Sequence, residues 1–560
     1  MKIFLAQQNY HIGNFESNTQ KIIAAIEQAK EQGGDIIIFS ELCVCGYPPR
    51  DFLEFEDFIG KCYAAIDEIK QHADTIAVLV GAPDRNPARE GKDLFNGAYF
   101  LYEKEIKAVA HKTCLPNYDV FDEYRYFEPA YEWSIIEFKG KKLAVTICED
   151  IWNLGDNPLY RNCPMDKLIE QKPDVMLNIS ASPFDYTHVE DRKAIVKLNV
   201  QKYKLPMFYC NCVGSQTEIV FDGGSLIFDK NANLVSQLPL FKETIQSFVL
   251  NDDGTIDAPV TAFAKDLPDA ELFPLTLDHK LCIPEIHDAI IMGIRDYFSK
   301  MGFTKAILGS SGGIDSAVTL ALACTALGKD NVRAILMPSQ YSTGHSVSDA
   351  EQLSKQLGNP YDIIPIKNIY DGFLSELKPV FNDLPFSVAE ENLQSRTRGN
   401  LLMAIANKFG YILLNTSNKS ELATGYGTLY GDMAGGIGVL GDCYKMQIYE
   451  LAKFINRDKE IIPVNIITKP PSAELRPGQK DSDSLPEYNI LDAILYQYIE
   501  RRQGPKEIKA QGFDAALVDR VLRLVNINEY KRNQFCPIIR ISPKAFGVGR
   551  RVPIVGKYLS

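Results

Sequence analysis

The chain has 560 residues, 46% of them hydrophobic and 24% charged, and a formal net charge of -12. That length calls for two large cores, or three, rather than one, and the composition is that of a folded chain rather than a disordered one. The acidic balance excludes bulk nucleic-acid binding, which needs a basic footprint. No apolar run approaches a membrane span, and the short run after Met1 is no signal segment, so a cytoplasmic protein without a membrane partner is expected.

Residues 1–250 read as strand-rich α/β. Short apolar runs at Asp35–Phe39, Ile76–Val80, Leu143–Ile147, Val175–Ile179, Met207–Cys212 and Ser225–Phe228 have the character of strands buried on both faces. Helical periodicity over 17–32 and 52–72 lies between some of them. Three residues fall at or just past strand ends, where α/β active sites form. Glu41 follows the first run, Lys112 follows a strand near 106–110, and Cys148 ends Leu143–Ile147. Taken singly, each is read as a surface or core residue. Together they cover the needs of an amide-attacking thiol: a base, a cationic neighbour and a means to hold an oxyanion.

Twelve cysteines are scattered along the chain, and neither 43/45 nor 210/212 has the spacing of a zinc site. Most are expected to be small buried hydrophobes, and the informative question is whether one of them is a nucleophile.

Residues 251–283 carry prolines and little periodicity and are read as a linker to a second domain, 284–560. That domain opens with a helix near 285–300, strand Ala306–Leu308, a glycine-rich turn and a helix from Asp315 to Leu327. Strand Val332–Met337, a helix near 346–357, strand Tyr361–Pro365, a helix near 391–408 and strand Tyr411–Asn415 follow. Such alternation predicts a doubly wound parallel sheet. The turn Gly309-Ser310-Ser311-Gly312-Gly313-Ile314-Asp315-Ser316 joins strand to helix, so its glycines let backbone approach a ligand and the helix N-terminus favours an anion. It lacks the lysine of a kinase-type P-loop. The plain alternative is a tight βα turn with Asp315 as a cap.

The complete Ser-Gly-Gly-Ile-Asp-Ser in this context resembles the pyrophosphate-binding loop of the ATP pyrophosphatases, a PP-loop on a Rossmann-like sheet. The resemblance implies ATP as a substrate, bound by Gly309–Ser316, with Mg2+ held in part by Asp315. Later segments look like NAD synthetases across about 285–545: Glu391–Gly399, Asn415–Glu421, Gly425–Asp432, Ser472–Pro477 and Leu485–Tyr488. By that resemblance Thr416 contacts ATP, and Glu421 lies by magnesium and the dinucleotide deamido-NAD. Asn392, Tyr426, Gly427, Thr428 and Lys531 line the dinucleotide site, and Asp432 and Lys445 match a pair near the reacting groups. Arg396 and Arg398 are read as a solvated helix face. Most of the cationic run Lys531, Arg532, Arg540, Lys544, Arg550 and Arg551 is likewise read as solvated.

The first half resembles the nitrilase/amidase superfamily over about 1–250, through Phe39–Leu42, His111–Tyr118, Phe121–Phe127 and Ile147–Trp152. The resemblance implies a nitrilase-like αββα sandwich, with Glu41 as general base, Lys112 as stabilising cation, Cys148 as nucleophile and Glu123 as a second, orienting glutamate. Its glutamine contacts fall on Tyr118, Ser182 and His188, where relatives carry Lys or Arg. The pairing of the two halves resembles the two-domain synthetases. It implies adenylation of deamido-NAD, ammonia taken from glutamine along an enclosed path, and, by analogy alone, a homo-oligomer. An asparagine-synthetase type of ligase would need Cys at position 2, which is Lys here, and a GMP-synthetase type a Cys-His-Glu triad, for which no candidate is found. A regulatory protein with degenerate sites is the rival of another class.

Overall fold

The computed structural model describes residues 1–154, 158–258, 283–382 and 384–559. The chain divides into two compact units, Met1–Asp266 and Leu267–Ser560.

The first unit runs β1 (Lys2–Gln7), α1 (Phe15–Glu31), β2 (Ile36–Ile38), α2 (Glu56–Lys70), β3 (Ala77–Arg85), β4 (Leu94–Tyr102), β5 (Glu105–His111), β6 (Ile136–Phe138), β7 (Lys141–Ile147), α3 (Pro164–Leu168) and β8 (Val175–Ser180). It continues with α4 (His188–Tyr203), β9 (Met207–Asn211), β10 (Val213–Gln216), β11 (Ile219–Asp222), β12 (Leu226–Phe228), β13 (Leu234–Gln237), β14 (Thr244–Leu250) and β15 (Ile256–Asp257). One sheet has the order β15-β14-β1-β2-β3-β4-β5 and a second the order β13-β12-β9-β8-β7-β6.

Side-chain alternation explains the four layers. Ile3, Leu5, Ile36 and Ile38 meet Leu143, Val145, Ile147, Leu177 and Ile179 in the core between the sheets. Their neighbours Phe4, Ala6, Ile37 and Phe39 point the other way, onto Ile22, Ile26 and Ile66 of α1 and α2. On the second sheet Ala144, Met176 and Met207 pack on Val196, Val200 and Met165 of α3 and α4. Both faces of each sheet are covered, so these strands read as unbroken apolar runs. The result is the αββα sandwich. The predicted helix over 52–72 is instead a single 3-10 turn (Arg50–Glu54) and α2, broken at extended Phe55. Of the expected linker, 259–282 lies outside the described residues, and β15 in its first part pairs antiparallel with β14.

The second unit runs α5 (Ile283–Met301), β16 (Ala306–Gly309), α6 (Ile314–Leu327), β17 (Val332–Leu336), α7 (Gly344–Leu357), β18 (Tyr361–Ile363), α8 (Lys367–Phe381), α9 (Val388–Phe409), β19 (Ile412–Asn415), α10 (Lys419–Thr424), β20 (Ile437–Gly438) and α11 (Lys445–Ile455). Helices α12 (Val464–Thr468), α13 (Tyr488–Ile499), α14 (Pro505–Ala510), α15 (Ala515–Ile527) and α16 (Glu529–Arg532) complete it. The sheet order is β18-β17-β16-β19-β20, and all four pairings are parallel. Chain direction across the sheet reverses between β16 and β19, so a crevice opens at their C-terminal ends. Helix α9 starts at a capping box, in which Ser387 Oγ accepts from Ala389 N and Glu390 Oε2 accepts from Ser387 N at 2.8 Å. Helix α8, absent from the sequence reading, buries only Tyr370.

Candidate active sites

In the first unit, Glu41, Lys112 and Cys148 follow β2, β5 and β7 and are all but fully buried. Lys112 Nζ donates to Glu41 Oε1 at 2.7 Å and to both oxygens of Glu123 at 2.8 Å. Asn96 Nδ2 donates to Glu41 Oε1 at 2.7 Å, the Ala181 amide to Glu41 Oε2 at 3.0 Å, and Tyr47 Oη to Glu123 Oε1 at 2.7 Å. Gly81 in β3 makes room for the Glu41 turn, since a Cβ there would lie 2.4 Å from Leu42 N and 2.7 Å from Ser40 O.

Cys148 takes φ +43°, a strained value for a residue with a Cβ. Asp150 holds it there. Its carboxylate accepts from Ile147 N at 3.0 Å and, across to the lysine loop, from Thr113 N at 2.9 Å and Cys114 N at 2.8 Å. Burial and the charge of Glu41 push the Cys148 thiol well above its ordinary pKa against the pull of Lys112, so Cys148 rests as a thiol. Burial also raises Glu123 to about 7, against Lys112. Burial lowers the affinity of Lys112 for its proton, but Glu123 and Glu41 outweigh it and hold the lysine charged.

Tyr118, 41% exposed, donates its hydroxyl to Glu149 at 2.9 Å. Ser182 Oγ lies 3.0 Å from His188 Nε2, and the imidazole stacks on Trp152 with centroids 4.7 Å apart. His188 therefore stands beside the cysteine turn, against the serine with which it was grouped.

In the second unit, Gly309–Ser316 joins β16 to α6. Ser316 Oγ accepts from Ser311 N at 3.2 Å and donates to Gly313 O at 3.0 Å, which curls the loop around the helix N-terminus. Gly312 has φ +78°, and a Cβ there would meet Ser346 O at 2.2 Å, so only glycine fits. Asp315 Oδ1 accepts from Asn418 Nδ2 at 2.9 Å and Oδ2 from Lys445 Nζ at 2.5 Å. Glu421 Oε1 is 4.0 Å from the same ammonium. Burial and the neighbouring Asp315 raise the Glu421 carboxyl well above its ordinary pKa.

Around this cluster lies a cleft of about 310 Å³ lined by Gly309, Ser310, Ser311, Gly313–Ser316, Thr416, Glu421, Tyr426, Asp432 and Lys445. Gly427 and Lys531 line a smaller adjoining hollow with Glu421 and Tyr426. Asn392 and Thr428 are not among the residues lining either hollow, and Thr428 Oγ1 donates to Asn392 Oδ1 at 2.7 Å. Asp432 and Lys445 share the cleft without pairing: Asp432 lies in the field of Lys531 and Arg398, and Lys445 is bonded to Asp315.

The family model for carbon-nitrogen hydrolase matches residues 2–253, and that for NAD synthase matches residues 286–535. A glutamine-dependent NAD(+) synthetase of Synechocystis sp. is 42% identical over 99% of this chain and 98% of its own. The chain belongs to the glutamine-dependent NAD(+) synthetases. That of Thermotoga maritima is 40% identical over 100% of this chain and 99% of its own. The solved glutamine-dependent NAD+ synthetase of Acinetobacter baumannii, in complex with ADP, is 38% identical with TM-score 0.76, covering 99% of this chain and 98% of that one.

Two readings of charge are corrected within this synthetase chain. Arg396 and Arg398 are not a solvated face. Arg396 Nε donates to Leu429 O at 3.2 Å, and Arg398, which lines the cleft, donates to Met337 O at 3.0 Å. In the C-terminal run Arg532 and Arg540 are buried, with Arg532 Nη1 bonded to Leu422 O and Ala423 O and Arg540 Nε to Ser542 O. Arg550 pairs with Glu529 at 2.7 Å. These cations are structural because backbone carbonyls and a carboxylate replace their water.

Asn96, Asp150 and Glu149 were given no role from sequence. Asn96 had a signal, as the one polar side chain in the apolar strand Leu94–Tyr102. Asp150 and Glu149 were hidden in the run after Cys148, where nothing local shows which way a carboxylate points.

Proposed function

We propose that the residues above divide the family's reaction, the ATP-dependent amidation of deamido-NAD to NAD with glutamine, between two sites. In the first unit Cys148 attacks the glutamine amide. Glu41, held by Lys112 and Asn96, takes the thiol proton and returns it to the departing ammonia. Lys112 faces the charge that develops on the amide oxygen, and Glu123 fixes Lys112. Water then releases glutamate by the same route. Tyr118, Ser182 and His188 position glutamine.

In the second unit the loop Gly309–Ser316 receives the ATP phosphates at the start of α6, and Thr416 lies at the facing strand end. Asp315 and Glu421 fit a magnesium ion: both are oxygen donors, they repel one another when ionised, and a hard cation bound also by phosphate oxygens needs only one or two carboxylates. That ion would offset the triphosphate charge. Lys445 neutralises the same region, and Asn392, Tyr426, Gly427, Thr428, Asp432 and Lys531 build the dinucleotide side. Adenylation of the nicotinate carboxylate releases pyrophosphate, and ammonia then displaces AMP. A homo-oligomer in the cytoplasm completes the proposal, and among the described residues no helix is long and apolar enough to cross a membrane.

The observation that carries this reading is the joint presence, in one chain, of the buried Cys148–Glu41–Lys112 group and of a glycine loop whose Asp315 is bonded to Lys445. Pyrophosphate release is the test. It should require deamido-NAD as well as ATP, and release with ATP alone at the same rate would contradict the assignment.

A further inference from the structure

Helix α13 opens on Tyr488 and carries Asp492 one turn later, on the same face. The Tyr488 ring lies 5.3 Å from Lys445 Nζ. Asp492 is 7% exposed and reaches two helices that each bear a cleft residue. Its Oδ1 accepts from Ser420 Oγ at 2.5 Å, and its Oδ2 accepts from the Met446 amide at 2.9 Å. Ser420 Oγ in turn accepts from the Lys445 amide at 3.0 Å. Ser420 directly precedes Glu421, and Met446 directly follows Lys445. Glu421 and Lys445 line the cleft, whereas Ser420 and Asp492 do not.

Helix α10 has six residues, too few to hold a direction by propensity, so its orientation comes from what its side chains grip. Lys419 grips on one side: its fully buried ammonium bonds Asp442 at 2.9 Å, Glu500 at 2.6 Å and Ser542 at 2.7 Å. Ser420 grips Asp492, and Glu421, third in the run, is left to the cleft. On α11 the first amides have no partner within the helix. Ser420 and Asp492 supply acceptors for the first two, and an acid suits the positive end of a helix. The same bonds govern the 4.0 Å between Glu421 Oε1 and Lys445 Nζ. Packing alone does not call for an acid at 492. Its neighbours Leu491, Ile494 and Leu495 are core, and burial works against the carboxyl, raising it to about 7 over the pull of Ser420 and the Met446 amide.

We propose that Asp492 is a positioning residue of the ATP-using site, which clamps α10 to α11 through Ser420 and the Met446 amide and so sets Glu421 and Lys445 at their working separation. The inference rests on the reading of that cleft as the ATP site.

The test uses the full chain with an ammonium salt as nitrogen donor, so that the amidase site takes no part. Asp492→Ala removes both acceptors and should lower kcat for NAD formation about 10- to 100-fold, the effect of losing a hydrogen bond to a charged group. The KM for deamido-NAD should stay within about threefold of the parent value, because Lys531 and Asn392 lie outside the clamp. Asp492→Asn keeps an acceptor for the Met446 amide and a polar partner for Ser420 Oγ, and its kcat should lie within about threefold of the parent chain. Ser420→Ala leaves α13 untouched but cuts α10 from the clamp, and should lower kcat as Asp492→Ala does. Rates are taken per folded molecule, by circular dichroism, well below each melting temperature, so a role in stability alone would leave kcat unchanged. Parent kcat in Asp492→Ala or in Ser420→Ala, or an Asp492→Asn chain as impaired as Asp492→Ala, would overturn the inference. A parent chain that releases pyrophosphate from ATP without deamido-NAD would overturn the reading of the cleft instead.

Discussion

Lys445 Nζ lies 2.5 Å from Asp315 Oδ2, so a lysine at the start of α11 is locked onto the first turn of α6, 130 residues earlier in the chain. The bond ties the pyrophosphate-type loop to the far wall of the cleft. Asp315 and Glu421 both raise the affinity of Lys445 for its proton, so the lysine stays charged although burial opposes it. Asp315→Asn removes the acid and leaves Lys445 and Glu421 facing each other. NAD formation should fall by about 100-fold or more with glutamine and with ammonia alike, the scale of losing a preorganised charge at a reacting phosphate. Steady-state NAD production with each donor checks this. Retention of the ammonia-dependent rate would remove Asp315 from the site.

His188→Ala should raise the KM for glutamine about tenfold, the combined value of a neutral hydrogen bond and an aromatic stack. It takes away the partner of Ser182 Oγ and the ring on Trp152. His188→Lys restores a cation at that position, and its KM should match or fall below that of the parent chain. A large rise in the lysine variant would show that the ring itself is required.

Asp150→Ala strips the acceptor from three backbone amides, those of Ile147, Thr113 and Cys114. The loss should destabilise the first unit by about 2–4 kcal/mol, the desolvation cost of buried donors left unmade. It should also depress glutamine-dependent activity, because these bonds brace the turn in which Cys148 takes positive φ. Thermal unfolding, followed together with the rate from glutamine, measures both. An unchanged melting temperature would show the three amides to be satisfied in another way.

Glu149 gives a pH prediction with a definite sign. Burial raises its carboxyl to about 7 from the ordinary 4.5, Lys112, Tyr118 and Tyr160 pulling the other way. The folded state thus binds the proton more tightly than the unfolded state, and stability is lost as pH rises between those two values. Glu149→Gln removes that cost. The variant should melt higher than the parent chain at pH 8, and the difference should vanish near pH 5, below about one unit above the ordinary glutamate value. A constant offset across the range would contradict the reading of a strained, ionised acid.

Much of this was legible in sequence because strand ends are local signals. The runs before Glu41 and Cys148 and the glycine loop before α6 are written in consecutive residues, and the structure has strands and a helix there. Long-range partners were not legible. Arg532 reads as surface until its acceptors appear at Leu422 and Ala423, 110 and 109 residues away. Asp150 reads as one more acid in a polar turn until its two oxygens are seen to bridge the cysteine and lysine loops. Helix α8 was missed because its apolar stripe includes Gly372 and Pro379, both poor helix formers, and because only Tyr370 is buried.

The central claim is the division of labour between Cys148 and the ATP-using site, and one variant tests it most directly. Cys148→Ala deletes the thiol with little change in volume, and the second unit carries its own cleft. NAD formation is measured twice, with glutamine alone and with an ammonium salt at a pH that leaves free ammonia. The account predicts loss of the glutamine-dependent rate by about 1,000-fold or more, as for other nucleophile deletions, with ammonia-dependent synthesis retained. Glutamine-dependent NAD formation that survives the substitution would contradict it.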